Sequence, residues 1–160
     1  MKLRMEADLH VDDVVVDLAD GTTAFMQAKL SPTPAAFTST VDQWCRAVES
    51  GECRKGDELL FVVTRTDDLL ARTAQALATY QSGASLTAPA VKRLDALRKL
   101  AAAHGLDHAG TERLLAAAKV IALDARDNGP DEALGAACLN AAVVPAGHGR
   151  TAFRAMKAAV

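Results

Sequence analysis

Aromatic side chains are scarce in this chain: one Trp, one Tyr and four Phe among 160 residues, 4% of the whole. So few rings exclude a core of large aromatics and a surface of base-stacking platforms. An excess of either charge is also missing. Eighteen Lys plus Arg stand against 20 Asp plus Glu, a formal net charge of −2. The whole molecule is therefore no polybasic nucleic-acid binder, and any such contact must come from a local patch. No apolar run approaches the roughly 20 residues that span a bilayer. Met1 to Glu6 lacks the apolar centre of a signal peptide. Cysteine is limited to Cys45, Cys53 and Cys138, odd in number and scattered, the usage of reduced thiols in a cytoplasmic protein.

What is present is an ordinary globular composition, 50% hydrophobic and 24% charged, of a length that suits one domain. Abundant alanine favours helices. Leu3 to Leu9, Asp13 to Leu18 and Thr22 to Leu30 read as strands, with Asp20-Gly21 as a turn. Ser31-Pro32-Thr33-Pro34 then breaks the sheet, because proline cannot donate to the ladder. Val41, Trp44, Cys45 and Val48 recur at helical spacing and predict a helix over Ser39 to Ser50, ended by Gly51. Trp44 is expected to pack on the sheet. Glu58 to Thr64 is a short apolar run, the pattern of a buried strand. Strand, helix and strand in this order predict a crossover with a parallel pair.

From Thr66 onward the chain reads as mainly helical. Thr66 is the expected cap of a helix to about Gln81. Thr87 precedes a second, with Pro89 in its first turn and its end near Gly105. Thr111 is the expected cap of a third. Val120 to Leu123 reads either as a helix end or as a short strand, and further helices are expected from Pro130 to about Ala142 and from Thr151 to Ala159. The division is an α/β core over residues 1–82 and a helical C-terminal region over 83–160, packed as one unit and joined near Gln81 to Thr87.

The hairpin carries the chemistry. A three-residue loop Ala19-Asp20-Gly21, with glycine in the left-handed position, pairs Leu18 with Thr22, Val16 with Ala24 and Val14 with Met26. That face is almost wholly apolar and is expected to lie against a helix. The other face pairs Asp17 with Thr23, Val15 with Phe25 and Asp13 with Gln27, with Lys29 two residues further on. A one-residue slip would mix the two sets. An acid, an amide and an amine at one sheet end suit metal-dependent phosphodiester cleavage. The carboxylate can hold Mg²⁺, the amide oxygen can assist it, and the lysine can offset charge developing on phosphorus.

Asp13-Val14-Val15-Val16, then Asp20-Gly21, then Gln27-Ala28-Lys29 closing a strand, resembles the PD-(D/E)xK restriction-endonuclease-like nucleases. More narrowly it resembles their Q-x-K variant, found in Mrr-type restriction enzymes and in N-terminal double-strand DNA nuclease domains of bacterial anti-phage proteins. Trp44 in the following helix and Leu59 to Thr64 continue that family's strand–helix–strand order. The resemblance implies a small mixed sheet of restriction-endonuclease-like type and a Mg²⁺ (or Mn²⁺) cofactor. It also implies double-stranded DNA as partner and an effector role in a cytoplasmic defence system, with an associated NTPase or sensor module or a homo-oligomer. It makes Asp13 the metal-binding acid, Gln27 the residue in place of Asp or Glu, and Lys29 the catalytic lysine. Asp12 and Glu6 are further candidate metal ligands. The family usually carries a helix before the first strand, and none is expected ahead of Leu3. That departure supports the alternative of a catalytically inactive nuclease-like domain acting in assembly or nucleic-acid binding.

Each residue also has a plainer reading. Asp12 and Asp13 suit a solvated turn, and Gln27 and Lys29 the exposed face of an edge strand. Lys92, Arg93, Arg98 and Lys99 form a basic helix segment, and Arg150, Arg154 and Lys157 another. These are solvated faces or phosphate contacts flanking the site. His104 and His108 have the spacing of a zinc pair, but Gly105 between them ends the helix and no third ligand is obvious. His148, between two glycines, lacks the context of a phosphate-binding loop.

Overall fold

A computed structural model of the chain describes residues 2–5, 14–29, 32–63, 66–122, 131, 132, 151 and 154. Five strands and four helices are placed: β1 (Lys2–Met5), β2 (Val14–Asp17), β3 (Thr23–Lys29), α1 (Pro34–Glu49), β4 (Glu58–Val63), α2 (Asp68–Gln81), α3 (Ala88–Ala103), α4 (His108–Ala117) and β5 (Ala118–Ala122). The fold is α/β. The strands form one mixed sheet in the order β1-β2-β3-β4-β5. The β1–β2 and β2–β3 pairs are antiparallel, and the β3–β4 and β4–β5 pairs are parallel.

The hairpin register is the one the alternation selects. Val14 lies opposite Met26, Val15 opposite Phe25, Val16 opposite Ala24 and Asp17 opposite Thr23. The Leu18 N–H reaches the Thr22 carbonyl at 2.8 Å, and Gly21 takes φ +85°, which closes the three-residue loop. Asp20 Oδ1 accepts from the Thr22 N–H at 3.0 Å and its hydroxyl at 2.7 Å, and these bonds hold the Asp20 carboxyl below its usual pKa.

The face assignment differs from expectation. The helices cover the Val15, Phe25 and Gln27 face, not the Val14, Val16 and Met26 face. Phe37, Val41, Trp44, Leu70, Leu77, Leu94, Leu97 and Leu114 from α1 to α4 share one buried cluster with Val15, Phe25, Leu59, Phe61 and Val63. Ala24, Leu60 and Val62, with Val16, Met26, Ala28 and Ile121 against them, form a smaller cluster on the other face. The physical reason lies in β4. Its Leu-Leu-Phe-Val-Val run is apolar on both faces, so alternation there cannot say which face meets α1.

Three helix starts also differ. α1 begins at Pro34 rather than near Ser39, because Thr33 caps it, accepting from the Ala36 N–H at 3.1 Å, and Pro34 takes the first-turn position that needs no N–H. Asp67, not Thr66, caps α2, accepting from the Leu70 N–H at 2.8 Å. Asp107, not Thr111, caps α4, accepting from the Gly110 N–H at 2.7 Å, while Thr111 is buried inside the helix. In both cases a carboxylate adjacent to or near the threonine reaches the free N–H groups first. α3 runs between the flanking residues Thr87 and His104, and Gly105 follows at φ +83°.

The segment after α4 is a strand, which resolves the two readings of Val120 to Leu123 as far as Ala122. β5 pairs in parallel with β4 from Leu59 opposite Ala118 to Val63 opposite Ala122. The turn between α2 and α3 is held from outside: Gln81 Nε2 donates to the carbonyls of Leu115 at 2.9 Å and Ala118 at 2.7 Å. The helices expected from Pro130 and Thr151 lie, apart from residues 131, 132, 151 and 154, outside the described residues. Glu132 is fully buried, and Arg154 Nε lies 2.8 Å from its Oε1. Among the described residues no helix is long and apolar enough to cross a membrane.

Candidate active site

Gln27 and Lys29 lie toward one end of the sheet. β3 ends at Lys29, and its parallel neighbour β4 ends at Val63 opposite it. β2 runs the other way, so its first residue, Val14, lies at this same end, opposite Met26. α1 and α2 follow β3 and β4 directly, so their capped N-termini, at Thr33 and Asp67, open here too. The carboxyl ends of parallel strands, with helix N-termini beside them, are where α/β sheets receive anionic ligands.

Gln27 and Lys29 alternate with Ala28 and so share one face of β3. β3 is a central strand, flanked by β2 and β4, so the edge-strand reading of this pair does not hold. Gln27 is only 5% exposed, opposite Phe61 on the helix-covered face. Its amide is not left bare: the Thr40 hydroxyl of α1 is hydrogen-bonded to Gln27 Oε1. The same hydroxyl lies 3.0 Å from the Ala36 carbonyl one turn back. Lys29, two residues on, is half-buried as the strand leaves the core.

The chain matches no protein-family model, no curated protein and no solved structure.

Glu6, Asp12 and Asp13, the acidic candidates, lie outside the described residues. Among the described residues no three His, Cys, Asp or Glu side chains gather as a metal site.

The basic candidates lie on α3, and they do not share one face. Lys92 and Lys99, seven residues apart, lie on one exposed stripe, while Arg93 and Arg98 fall on either side of it and are half-buried. Arg98 is engaged: it lies 3.2 Å from Asp95, 3.5 Å from Glu112 on α4 and 5.9 Å above the Tyr80 ring. Tyr80 in turn donates its hydroxyl to Glu112, and that bond, with burial, raises the phenol pKa.

His104 Nε2 sits 2.6 Å from Asp42 Oδ1 and ties the end of α3 to α1, while His108 is exposed at the start of α4. Cys45 and Cys53 are buried free thiols. Burial, then Asp42 and Glu49, pushes Cys45 up to about 11, and burial, then Asp57, pushes Cys53 up to about 12. Thiols held protonated in this way do not serve as nucleophiles. Trp44 packs as expected, fully buried and edge-on to Phe37 at 6.3 Å.

Two residues here escaped the sequence reading. Thr40 is the polar member of α1's otherwise largely apolar stripe of Phe37, Val41, Trp44 and Val48, and that interruption was the available signal. Asp57 is buried before β4. Its carboxylate accepts from the Thr23 N–H at 2.8 Å and the Arg54 N–H at 2.7 Å. No spacing pattern marks it, because both partners are backbone groups.

Proposed function

We propose that this chain is a metal-dependent endonuclease domain of restriction-endonuclease-like type that cleaves phosphodiester bonds of double-stranded DNA. The observation that carries the reading is the β2–β3 register. Val14 faces Met26, so Asp13 and Gln27 are each the covalent neighbour of one member of that pair, with Lys29 on Gln27's face of the strand. The antiparallel β1-β2-β3 followed by α1 and a parallel β4 supports it, since this is the strand–helix–strand order the resemblance implies. The helix N-termini at this end supply partial positive charge suited to phosphate.

Gln27 and Asp13 offer the hard oxygen donors that Mg²⁺ takes, with Asp12 and Glu6 as further donors. A bound Mg²⁺ would polarise the phosphoryl oxygen and lower the pKa of an attacking water. Lys29's role is to offset negative charge on the phosphoryl group. Lys92, Arg93 and Lys99 would contact the phosphate backbone away from the cut, which adds affinity without sequence choice. The biological setting we propose is the effector of a bacterial anti-phage system, with an NTPase or sensor module as partner.

The deep burial of Gln27 and its bond to Thr40 favour a second reading, an inactive nuclease-like domain used in assembly or nucleic-acid binding. Incubation with supercoiled plasmid and Mg²⁺ or Mn²⁺, with and without EDTA, separates the two. Metal-dependent nicking is the expected result. Intact plasmid with both metals defeats the nuclease reading.

A further inference from the structure

Thr40 has one hydroxyl proton and two acceptors within reach. One is Gln27 Oε1, and the other is the Ala36 carbonyl at 3.0 Å. A hydroxyl gives one donor and two lone pairs, so it cannot fully satisfy both. The conflict disappears if the Gln27 carboxamide makes a half turn. Nε2–H then donates to Thr40 Oγ1, and Thr40 gives its single proton to Ala36, the usual back-bond of a mid-helix threonine. Gln27 Nε2, the Thr40 hydroxyl and the Ala36 carbonyl then form one continuous run of bonds. Gln27 is 5% exposed and Thr40 fully buried, and in such low-dielectric surroundings the arrangement that makes both bonds is preferred over the one that makes a single bond.

We infer that Thr40 is the positioning residue for Gln27: it takes the amide N–H and so turns Gln27 Oε1 away from α1, as the oxygen offered to the metal. This deepens the nuclease reading and rests on it. A carboxamide free to rotate presents an N–H donor half the time, and a donor repels a cation. A fixed one presents oxygen always. Thr40 acts through Gln27 and touches no reacting atom itself.

The test has two arms. The first uses metal-free protein labelled with ¹⁵N-glutamine. Only Gln27, Gln43, Gln75 and Gln81 contribute side-chain signals, and Gln27→Asn identifies the one that matters by its loss. The Gln27 side-chain N–H₂ should exchange slowly in the wild type and in Thr40→Ser, which keeps the hydroxyl. It should exchange fast in Thr40→Val, which keeps the shape and loses it. The second arm is plasmid nicking over a Mg²⁺ titration. Thr40→Val should need about tenfold or more Mg²⁺ for half-maximal rate, the usual loss when a metal ligand's own partner is removed, and Thr40→Ser should match the wild type. Equal exchange in wild type and Thr40→Val overturns the inference. So does a lost protection with an unchanged metal requirement. Slow exchange that depends on Thr40, in a wild type that never cleaves, defeats the nuclease reading and the metal-facing role together, and leaves the amide orientation standing.

Discussion

Val14 and Met26 face each other across the antiparallel β2–β3 pair, and that pairing fixes the register on which the proposed site rests. It also separates two kinds of substitution, those at the carboxyl end of β3 and those at its beginning.

Lys29→Ala belongs to the first kind. The side chain is half-buried at a strand end, so its loss leaves no core cavity. We expect nicking to fall by about 10²-fold or more, the usual cost of removing a group aimed at transition-state charge. The melting temperature should move by no more than a few degrees, at about 2–4 °C per kcal/mol for a chain of this size. Plasmid nicking and a melting curve measure both. Unchanged nicking removes the catalytic role, and a collapse in melting temperature makes the residue structural.

Asp57→Ala belongs to the second kind. It strips the acceptor from the Thr23 and Arg54 N–H groups, which should cost about 2 kcal/mol or more. Thr23 begins β3 and Lys29 ends it, a separation of about 20 Å at roughly 3.3 Å per residue. Denaturant unfolding should show the loss, while nicking per folded molecule should match the wild type. Lost nicking in protein that remains folded would count against the separation.

Trp44 tests the core. Its side chain is fully buried, and its indole N–H has no hydrogen-bond partner among the described residues. Trp44→Ala should cost about 3–5 kcal/mol. Trp44→Phe loses some volume but also removes a buried unpaired donor, itself worth about 1–3 kcal/mol when left unsatisfied. The phenylalanine variant should therefore lose less than half as much. Urea midpoints of the two variants decide it, and equal losses would mean that the N–H is satisfied.

The thiols set the alkaline limit. Cys45 is raised to about 11 and Cys53 to about 12 in the folded chain, against about 8.5 unfolded. Their stabilisation is fully present below about pH 8.5 and is lost as pH rises through the folded values, because the unfolded chain sheds those protons first. Urea midpoints should fall between about pH 8.5 and pH 11, and Cys45→Ala or Cys53→Ala should flatten that slope. A midpoint independent of pH across this window would contradict the burial described for both thiols.

Much of this molecule was legible in the sequence. The β2–β3 register, the left-handed Gly21, the buried strand at Glu58 and the Thr87-Pro89 helix start each follow from local rules: alternation, turn chemistry and proline's missing N–H. So did the shared face of Gln27 and Lys29, since strand periodicity alone dictates it. The rest depended on contacts far apart in the chain. Which sheet face meets the helices follows from the side of β3 on which β4 pairs, because crossovers have one hand, and no residue pattern in an all-apolar strand records that side. Ala118 to Ala122 became a strand because β4 offered an unpaired edge. Gln27 was readable as a polar residue of a hairpin, but its partner is Thr40, on a helix 13 residues on. Hydrogen bonds between side chains of different elements leave no period in sequence, and only the packed structure brings such groups within reach.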